Sequence, residues 1–138
     1  MTYTLTTTVA LPWTEAVDRT RDALSAQGFG ILTEINVRST FEAKLGVEAA
    51  DAVGDYVILG ACNPALASRA LAAEPEMGAL LPCNVVVRRN KDAAVTTVEA
   101  IDPQAMVRLS GAPSVKEVAD DAGARLRKAL AVLGEAAK

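Results

Sequence analysis

Two short apolar runs in the middle of the chain constrain its fold more than any other feature. The first is residues 56–61, YVILGA, and the second is the valine triplet at 85–87. Neither run alternates between apolar and polar residues, which is typical of strands buried on both faces. The sequence therefore predicts two strands inside a sheet, with something covering each side of them.

Two other segments alternate as half-buried strands do. In residues 3–10, one face carries Tyr3, Leu5, Thr7 and Val9, and the other carries Thr4, Thr6 and Thr8. In residues 31–38, one face carries Ile31, Thr33, Ile35 and Val37, and the other carries Leu32, Glu34, Asn36 and Arg38. A further strand is predicted near residues 94–101, after a turn at 90–92.

Helices are predicted between these strands. Pro12 marks a helix that runs to about Gln27, and Asn63 is a good N-cap for a helix over 65–73 because Pro64 suits the first helical position. Ser39 and Glu42 fit a capping box that opens a short helix closed by Gly46. The remaining predictions are a loop over 47–55 and a long C-terminal helix opened by a second capping box, Ser114–Glu117.

The element order is strand, helix, strand, short helix, strand, helix, strand, strand, helix. No repeat or linker interrupts it, so residues 1–138 are interpreted as one domain of the α+β class. The hydrophobic fraction of 51% and the charged fraction of 22% are those of a folded globular protein.

Composition also excludes several classes of function. A net charge of −3, with basic residues scattered among acids, argues against a nucleic-acid partner. We find neither a signal peptide nor a membrane-length apolar segment, so a soluble cytoplasmic protein is expected. The chain has no histidine, which removes the commonest general base and the commonest metal ligand.

The two apolar runs also predict an assembly. Helices cover one face of a single sheet, so the second face of these strands needs another cover, and a second copy of the chain is the simplest candidate. The sequence thus favours a homodimer. The alternative is that the short helix and the segment 47–55 fold over that face.

Five segments carry a resemblance to a known family: residues 56–64 (YVILGACNP), 80–87 (LLPCNVVV), 28–30 with 33–35, 44–46 and 101–103. The resemblance is to the domain-of-unknown-function 302 family. It implies a two-layer α+β sandwich, with helices on one face of a mostly antiparallel sheet, assembled as a dimer. It implies no settled activity.

Two Cys-Asn pairs are the strongest candidates for a functional site. Cys62 ends a predicted buried strand and precedes a helix N-terminus, where unpaired amides and the helix dipole favour a thiolate. Cys83 begins the second buried strand. Each cysteine also has a structural interpretation as a small core residue. Whether the two meet depends on strand direction, which the sequence leaves open.

Four other residues complete the candidate ligand-binding set. Asn63 has a full structural explanation as an N-cap, whereas Asn84 lies in a strand, where asparagine is disfavoured. Glu34 and Lys44 are candidates for orienting a ligand or a thiolate, and each is also explained as a solvated surface charge. No residue is assigned a catalytic role, and no cofactor is identified.

Three functions are compatible with these residues. The favoured one is a non-catalytic module that binds a small ligand or a soft metal near the Cys-Asn motifs, with Cys62 and Cys83 as the metal ligands if a metal is bound. The second is a thiol-dependent redox protein or enzyme using Cys62. The third is a structural or interaction protein in which the motifs only fix turns and packing. The sequence leaves open whether the chain is an enzyme and favours a non-catalytic role.

Overall fold

The computed structural model describes residues 3–136, with five strands and six α-helices. The strands are β1 (Thr4–Val9), β2 (Gly30–Asn36), β3 (Asp55–Cys62), β4 (Cys83–Arg89) and β5 (Thr96–Ile101). The helices are α1 (Trp13–Ala26), α2 (Val37–Leu45), α3 (Val47–Val53), α4 (Pro64–Ala73), α5 (Gln104–Leu109) and α6 (Pro113–Ala136). A 3-10 helix covers Pro75–Leu80.

The five strands form one sheet in the order β1-β5-β4-β3-β2, and every neighbouring pair is antiparallel. The apolar runs become β3 and β4, which are adjacent and lie inside the sheet. Pairing of β1 with β5 joins the beginning of the chain to its second half. The prediction of an α+β sandwich with a mostly antiparallel sheet is confirmed.

The main core lies between one face of the sheet and the helices α1 and α6. Leu59, Val85 and Val98 from the sheet are fully buried there, together with Leu126 of α6. Trp13 anchors α1 to the sheet by donating from its indole Nε1 to the carbonyl of Val87, at 2.9 Å. Alternate residues of β3, β4 and β5 thus supply the covered face of the sheet.

A second, smaller apolar cluster lies at the other end of α6. It joins α4, the 3-10 helix, α5 and the first residue of β4 through buried residues, which are Leu66, Ala70, Met77, Cys83, Met106, Val115, Val118 and Ala122. This cluster places the N-terminus of α4 and the Cys-Asn motifs at one end of the domain core.

The predicted alternation of the second strand is wrong because β2 contains an irregularity. Its register against β3 shifts between Ile31, opposite Ala61, and Thr33, opposite Gly60. An extra residue in one strand exchanges the faces of all residues beyond it. Glu34 therefore lies opposite the core residue Leu59, whereas the sequence had placed it on the less apolar face.

The segment between β2 and β3 is also more helical than predicted. Residues 47–55, expected to be a loop, contain α3. The preceding helix begins at Val37, where the N-cap is Asn36 and its side chain accepts from the Ser39 amide, so the predicted Ser39–Glu42 capping box is wrong. Gly46 ends α2 as predicted, with a φ of 97° that favours glycine.

The last helix begins one residue before its predicted cap. Proline is favoured at the first helical position, and α6 starts at Pro113, which places Ser114 inside the helix. The predicted Ser114–Glu117 capping box is therefore wrong, although the helix and its apolar stripe are as predicted. Within residues 3–136, no helix is long and apolar enough to cross a membrane.

Candidate functional site

The antiparallel pairing of β3 with β4 brings the two cysteines together. Ala61 lies directly opposite Cys83, and Cys62 is the next residue along β3. Both cysteines are free thiols, with Cys62 half-buried and Cys83 buried. The sequence left open whether the two cysteines meet. They do, because β3 and β4 run antiparallel and the end of β3 lies beside the start of β4.

Asn63 follows Cys62 and caps α4, as predicted. Its side-chain oxygen accepts a hydrogen bond from the Leu66 amide at 3.2 Å, and Pro64 takes the first helical position. A Cβ added to Gly28, whose φ is 84°, would lie 3.0 Å from Nδ2 of Asn63. Asn63 thus fixes the start of α4 beside the turn that leads into β2.

A cavity of about 260 Å³ opens between α4 and the cysteines, and we call it the α4 cavity. Cys62, Asn63 and Cys83 lie on its sheet side. Its other walls are almost entirely apolar and come from the β2 entry, α4, the 3-10 helix, α5 and α6, through Phe29, Leu32, Leu66, Ala67, Ala70, Leu71, Gly78, Leu81, Pro82, Met106, Val118 and Ala122.

The thiol of Cys83 is held in its neutral form. Burial raises the pKa of Cys83 to about 11, and the neighbouring Cys62 is a smaller cause in the same direction. A raised pKa means that the folded chain favours the protonated thiol, so Cys83 is uncharged at neutral pH. The cavity therefore carries a buried thiol that is a weak hydrogen-bonding group and a poor nucleophile.

Three of the six predicted site residues lie elsewhere. Asn84 is exposed on the opposite face of the sheet, where it pairs with Gly60. Glu34 forms an ion pair with Arg21 of α1 at 2.8 Å, and Lys44 lies exposed in the last turn of α2. The structure thus brings Cys62, Asn63 and Cys83 together at one cavity and places the other three residues apart from it.

The apolar walls of the cavity were not predicted from the sequence. Leu66 and Met106, for example, are apolar residues of α4 and α5 that pattern analysis assigns to the core. They are 6% and 7% exposed, as core residues are, yet they line an open space. The one sequence feature that pointed to a cavity was the apolar content of α4, because this helix carries apolar side chains on more than one side.

Metal-binding donors are few at this site. Among residues 3–136, no group of three or more histidine, cysteine, aspartate or glutamate side chains is placed to hold a metal ion. The soft donors that line the cavity are the two thiols and the thioether of Met106. A metal held by Cys83 would have to displace its proton, which the raised pKa opposes.

The different surroundings of the two thiols give an expected labelling pattern. With a pKa of about 11, Cys83 is a thiolate in roughly one molecule in 3,000 at pH 7.5. Because the thiolate is the reactive form, iodoacetamide should label Cys83 at least about 100-fold more slowly than a free cysteine. Its rate should rise about tenfold per pH unit toward pH 11.

Peptide mass spectrometry after timed alkylation measures the two rates separately. The control is the same reaction in guanidinium chloride, where both cysteines should react equally fast. Native-state labelling of Cys83 as fast as that of Cys62 would contradict the assigned environment.

The fold of this chain matches that of a solved protein structure. The crystal structure of an uncharacterized conserved protein from Bacillus stearothermophilus superimposes with a TM-score of 0.84, at 28% sequence identity, over 96% of this chain and 99% of that one. The fold is thus an α+β sandwich already seen in a conserved bacterial protein. That protein is itself described as a DUF302 protein.

A family model for the domain of unknown function DUF302 matches residues 5–133. The chain belongs to this family, which confirms the resemblance carried by the two Cys-Asn segments. No curated protein matches the chain.

Proposed function

We propose that this protein is a non-catalytic binding module that holds a small apolar molecule in the α4 cavity. The observation that carries the proposal is an almost wholly apolar space that contains two thiols and one amide. Ligand pockets combine an apolar lining with a few polar groups that fix orientation, and this cavity has that composition.

The volume limits the ligand. An apolar cavity of about 150 Å³ accommodates benzene, and pockets for drug-sized ligands begin at about 300 Å³. At about 260 Å³, the α4 cavity suits one substituted ring or a short acyl chain. The weakly polar thiols tolerate such a ligand, whereas a charged one would be desolvated without a partner.

Native mass spectrometry of the untagged protein, purified without chelator or strong reductant, tests the proposal. An organic mass that is present in the native spectrum and released on denaturation supports it. A bound metal ion that is lost in Cys62→Ser would replace it with the soft-metal alternative. Protein without added mass that also fails to bind small aromatic compounds would contradict it.

A redox role is the second candidate, because two free thiols line the same cavity, at the end of β3 and the start of β4. Their oxidation to a disulfide releases two protons and two electrons, which an external disulfide such as oxidised glutathione accepts as two thiols. Incubation with oxidised glutathione followed by a thiol count tests it. Loss of both thiols without unfolding supports this role, and retention of both excludes it.

We also propose that two copies associate through β2 and α2. The strand β2 ends the sheet, and its outer edge has no strand partner within residues 3–136. Ile35 is 49% exposed and Leu45, at the end of α2, is 67% exposed, while α2 has no buried residue at all. An exposed apolar edge strand pairs readily with another edge, and two copies of β2 pair antiparallel about a two-fold axis.

The surface formed by β2 and α2 differs from the uncovered face of the central strands, which led the sequence analysis to predict a dimer. The outward residues of the central strands, such as Ile58 and Val86, are already half-buried in the single chain. The opposite edge strand, β1, exposes threonine side chains and no large apolar one, and it packs against α6. Of the two edge strands, β2 therefore exposes more apolar surface.

Ile35→Lys should weaken the dimer at least about tenfold, because charge on an edge strand opposes pairing. Sedimentation equilibrium at several concentrations measures the dissociation constant. Val132→Lys is the matched control, since Val132 is 51% exposed on α6 and lies away from β2. A wild-type monomer at about 100 μM, or an equal effect of both variants, would contradict the assigned interface.

Two further proposals concern the whole chain. Residues 1–138 form one domain, which is supported by the pairing of β1 with β5 and should give a single cooperative unfolding transition. A cytoplasmic location is supported by two cysteines that are free although they line the same cavity. Fluorescent tagging at either terminus tests the location.

A further inference from the structure

A second concave surface lies on the face of the sheet opposite α1 and α6. It has a volume of about 760 Å³, and we call it the open-face groove. Asn84, Val86 and Arg88 of β4 form its floor with Glu99 and Ile101 of β5, and the segment 79–82 forms one wall. The groove thus combines apolar side chains with one amide, one cation and one anion.

Arg88 and Glu99 form an ion pair in the groove that uses the Nε of the guanidinium. The Nε of Arg88 donates to Oε1 of Glu99, and Oε2 of Glu99 lies 3.5 Å from the hydroxyl of Thr6. The side chain of Glu99 is 19% exposed, while that of Arg88 is 41% exposed. The carboxylate is therefore the more buried member of the pair, and it holds the guanidinium through Nε.

Arg88 has N–H donors that its hydrogen bond with Glu99 does not use. A guanidinium carries five N–H groups, and Glu99 is the only hydrogen-bond acceptor for Arg88 within residues 3–136. The side chain is thus anchored through Nε, while the Nη donors have no partner there. A planar guanidinium fixed in this way suits bidentate binding of a carboxylate.

The surroundings of Arg88 define the rest of the ligand. Val86 lines the floor two residues from Arg88 along β4, and Ile101 lines it further along, toward Asn84. Leu81 lines the wall. Tyr56, opposite Arg88 on β3, and Asn84 add hydrogen-bonding groups at the two ends. A ligand here would meet one anion-binding group and an adjacent apolar surface.

We propose that the open-face groove binds a small organic carboxylate, with its carboxyl group on Arg88 and its apolar body against Val86, Ile101 and Leu81. A single guanidinium beside Glu99, in a chain of net charge −3, disfavours a doubly charged phosphate. This site is independent of the α4 cavity, which lies on the other side of the segment 81–82 and takes a neutral apolar ligand.

The test is a titration of ¹⁵N-labelled protein with phenylacetate and, separately, with its neutral counterpart phenylacetamide. Phenylacetate should shift the amide signals of Val86, Arg88 and Ile101 and bind at least about tenfold more tightly than phenylacetamide. Arg88→Gln should weaken phenylacetate binding at least about tenfold. Arg108→Gln, at an exposed arginine of α5 outside both cavities, should leave it unchanged.

The comparison of the two compounds uses wild-type protein, so it holds even if Arg88→Gln fails to fold. Equal affinity for phenylacetate and phenylacetamide would overturn the proposal. So would shifts confined to the residues of the α4 cavity, or no shift at any concentration up to about 10 mM, the limit of weak binding. An empty α4 cavity would leave this proposal standing, because the two sites involve different charged and polar groups.

Discussion

Gly60→Val is expected to lower the free energy of unfolding by about 3 kcal/mol, at the upper end of the cost of overpacking. Gly60 is buried on β3 between Thr33 of β2 and Pro82. A Cβ there would overlap Oγ1 of Thr33 and lie 2.9 Å from Cγ of Pro82. Either β2 or the segment 81–82, which lines both cavities, must therefore move.

Chemical denaturation of both proteins gives the difference directly. Gly111→Val is the matched control, because a Cβ at Gly111 meets nothing within 4 Å. Adding Thr33→Ala to Gly60→Val should restore part of the loss by removing one of the two overlaps. Equal stability of Gly60→Val and wild type would show that β2 and Pro82 do not lie this close to β3.

Gly78→Leu should reduce the affinity for a small aromatic ligand such as toluene at least about tenfold while leaving the fold intact. Gly78 lines the α4 cavity and has a negative φ, so a side chain is compatible with its backbone. A Cβ there would lie 3.8 Å from Cδ2 of Leu71, which is an ordinary contact. The remaining atoms of the leucine side chain then occupy space that the ligand needs.

Toluene affinity can be measured by ligand-detected NMR. Gly111→Leu is again the control, since it adds the same side chain at an open position outside the cavity. Its affinity should match that of wild type. If Gly78→Leu binds toluene as tightly as the control does, the ligand occupies another place.

The fold was predictable where the pattern is local and repeated. The apolar runs at 56–61 and 85–87 identified β3 and β4, and Asn63-Pro64 identified the start of α4. The register of β2 was not predictable, because an irregularity between Ile31 and Thr33 depends on the partner strand. A single such shift exchanges the faces of Thr33, Glu34 and Ile35.

The short helices show the limit of capping signals. Ser39–Glu42 has the capping-box pattern, but Asn36 is available three residues earlier and caps α2 instead. As an N-cap, Ser39 would accept from the Glu42 amide, whereas Asn36 accepts from the Ser39 amide, so the two caps begin the helix at different residues. The capping pattern alone does not decide which of the two is used. The helix α3 is short, and most of its contacts are with α2, so its own sequence gives a weak signal.

The polar residues of the candidate site could be predicted from the sequence, whereas its apolar walls could not. Cysteine and asparagine types drew attention to residues 62, 63 and 83, and strand direction then brought them together. Asn84 is adjacent to Cys83, but successive residues of a strand point to opposite faces, so the second Cys-Asn motif is divided between two cavities. The apolar walls come from five separate elements, which only the tertiary fold assembles.

Methyl NMR of selectively labelled protein, titrated with toluene, tests the central claim most directly. Leu66, Leu71, Met106 and Val118 line the α4 cavity, whereas Leu59 and Val98 belong to the main core. The account predicts saturable shifts of the first four methyl groups, with the last two unchanged. Shifts spread over both groups, or none at any toluene concentration up to saturation in water, would contradict it.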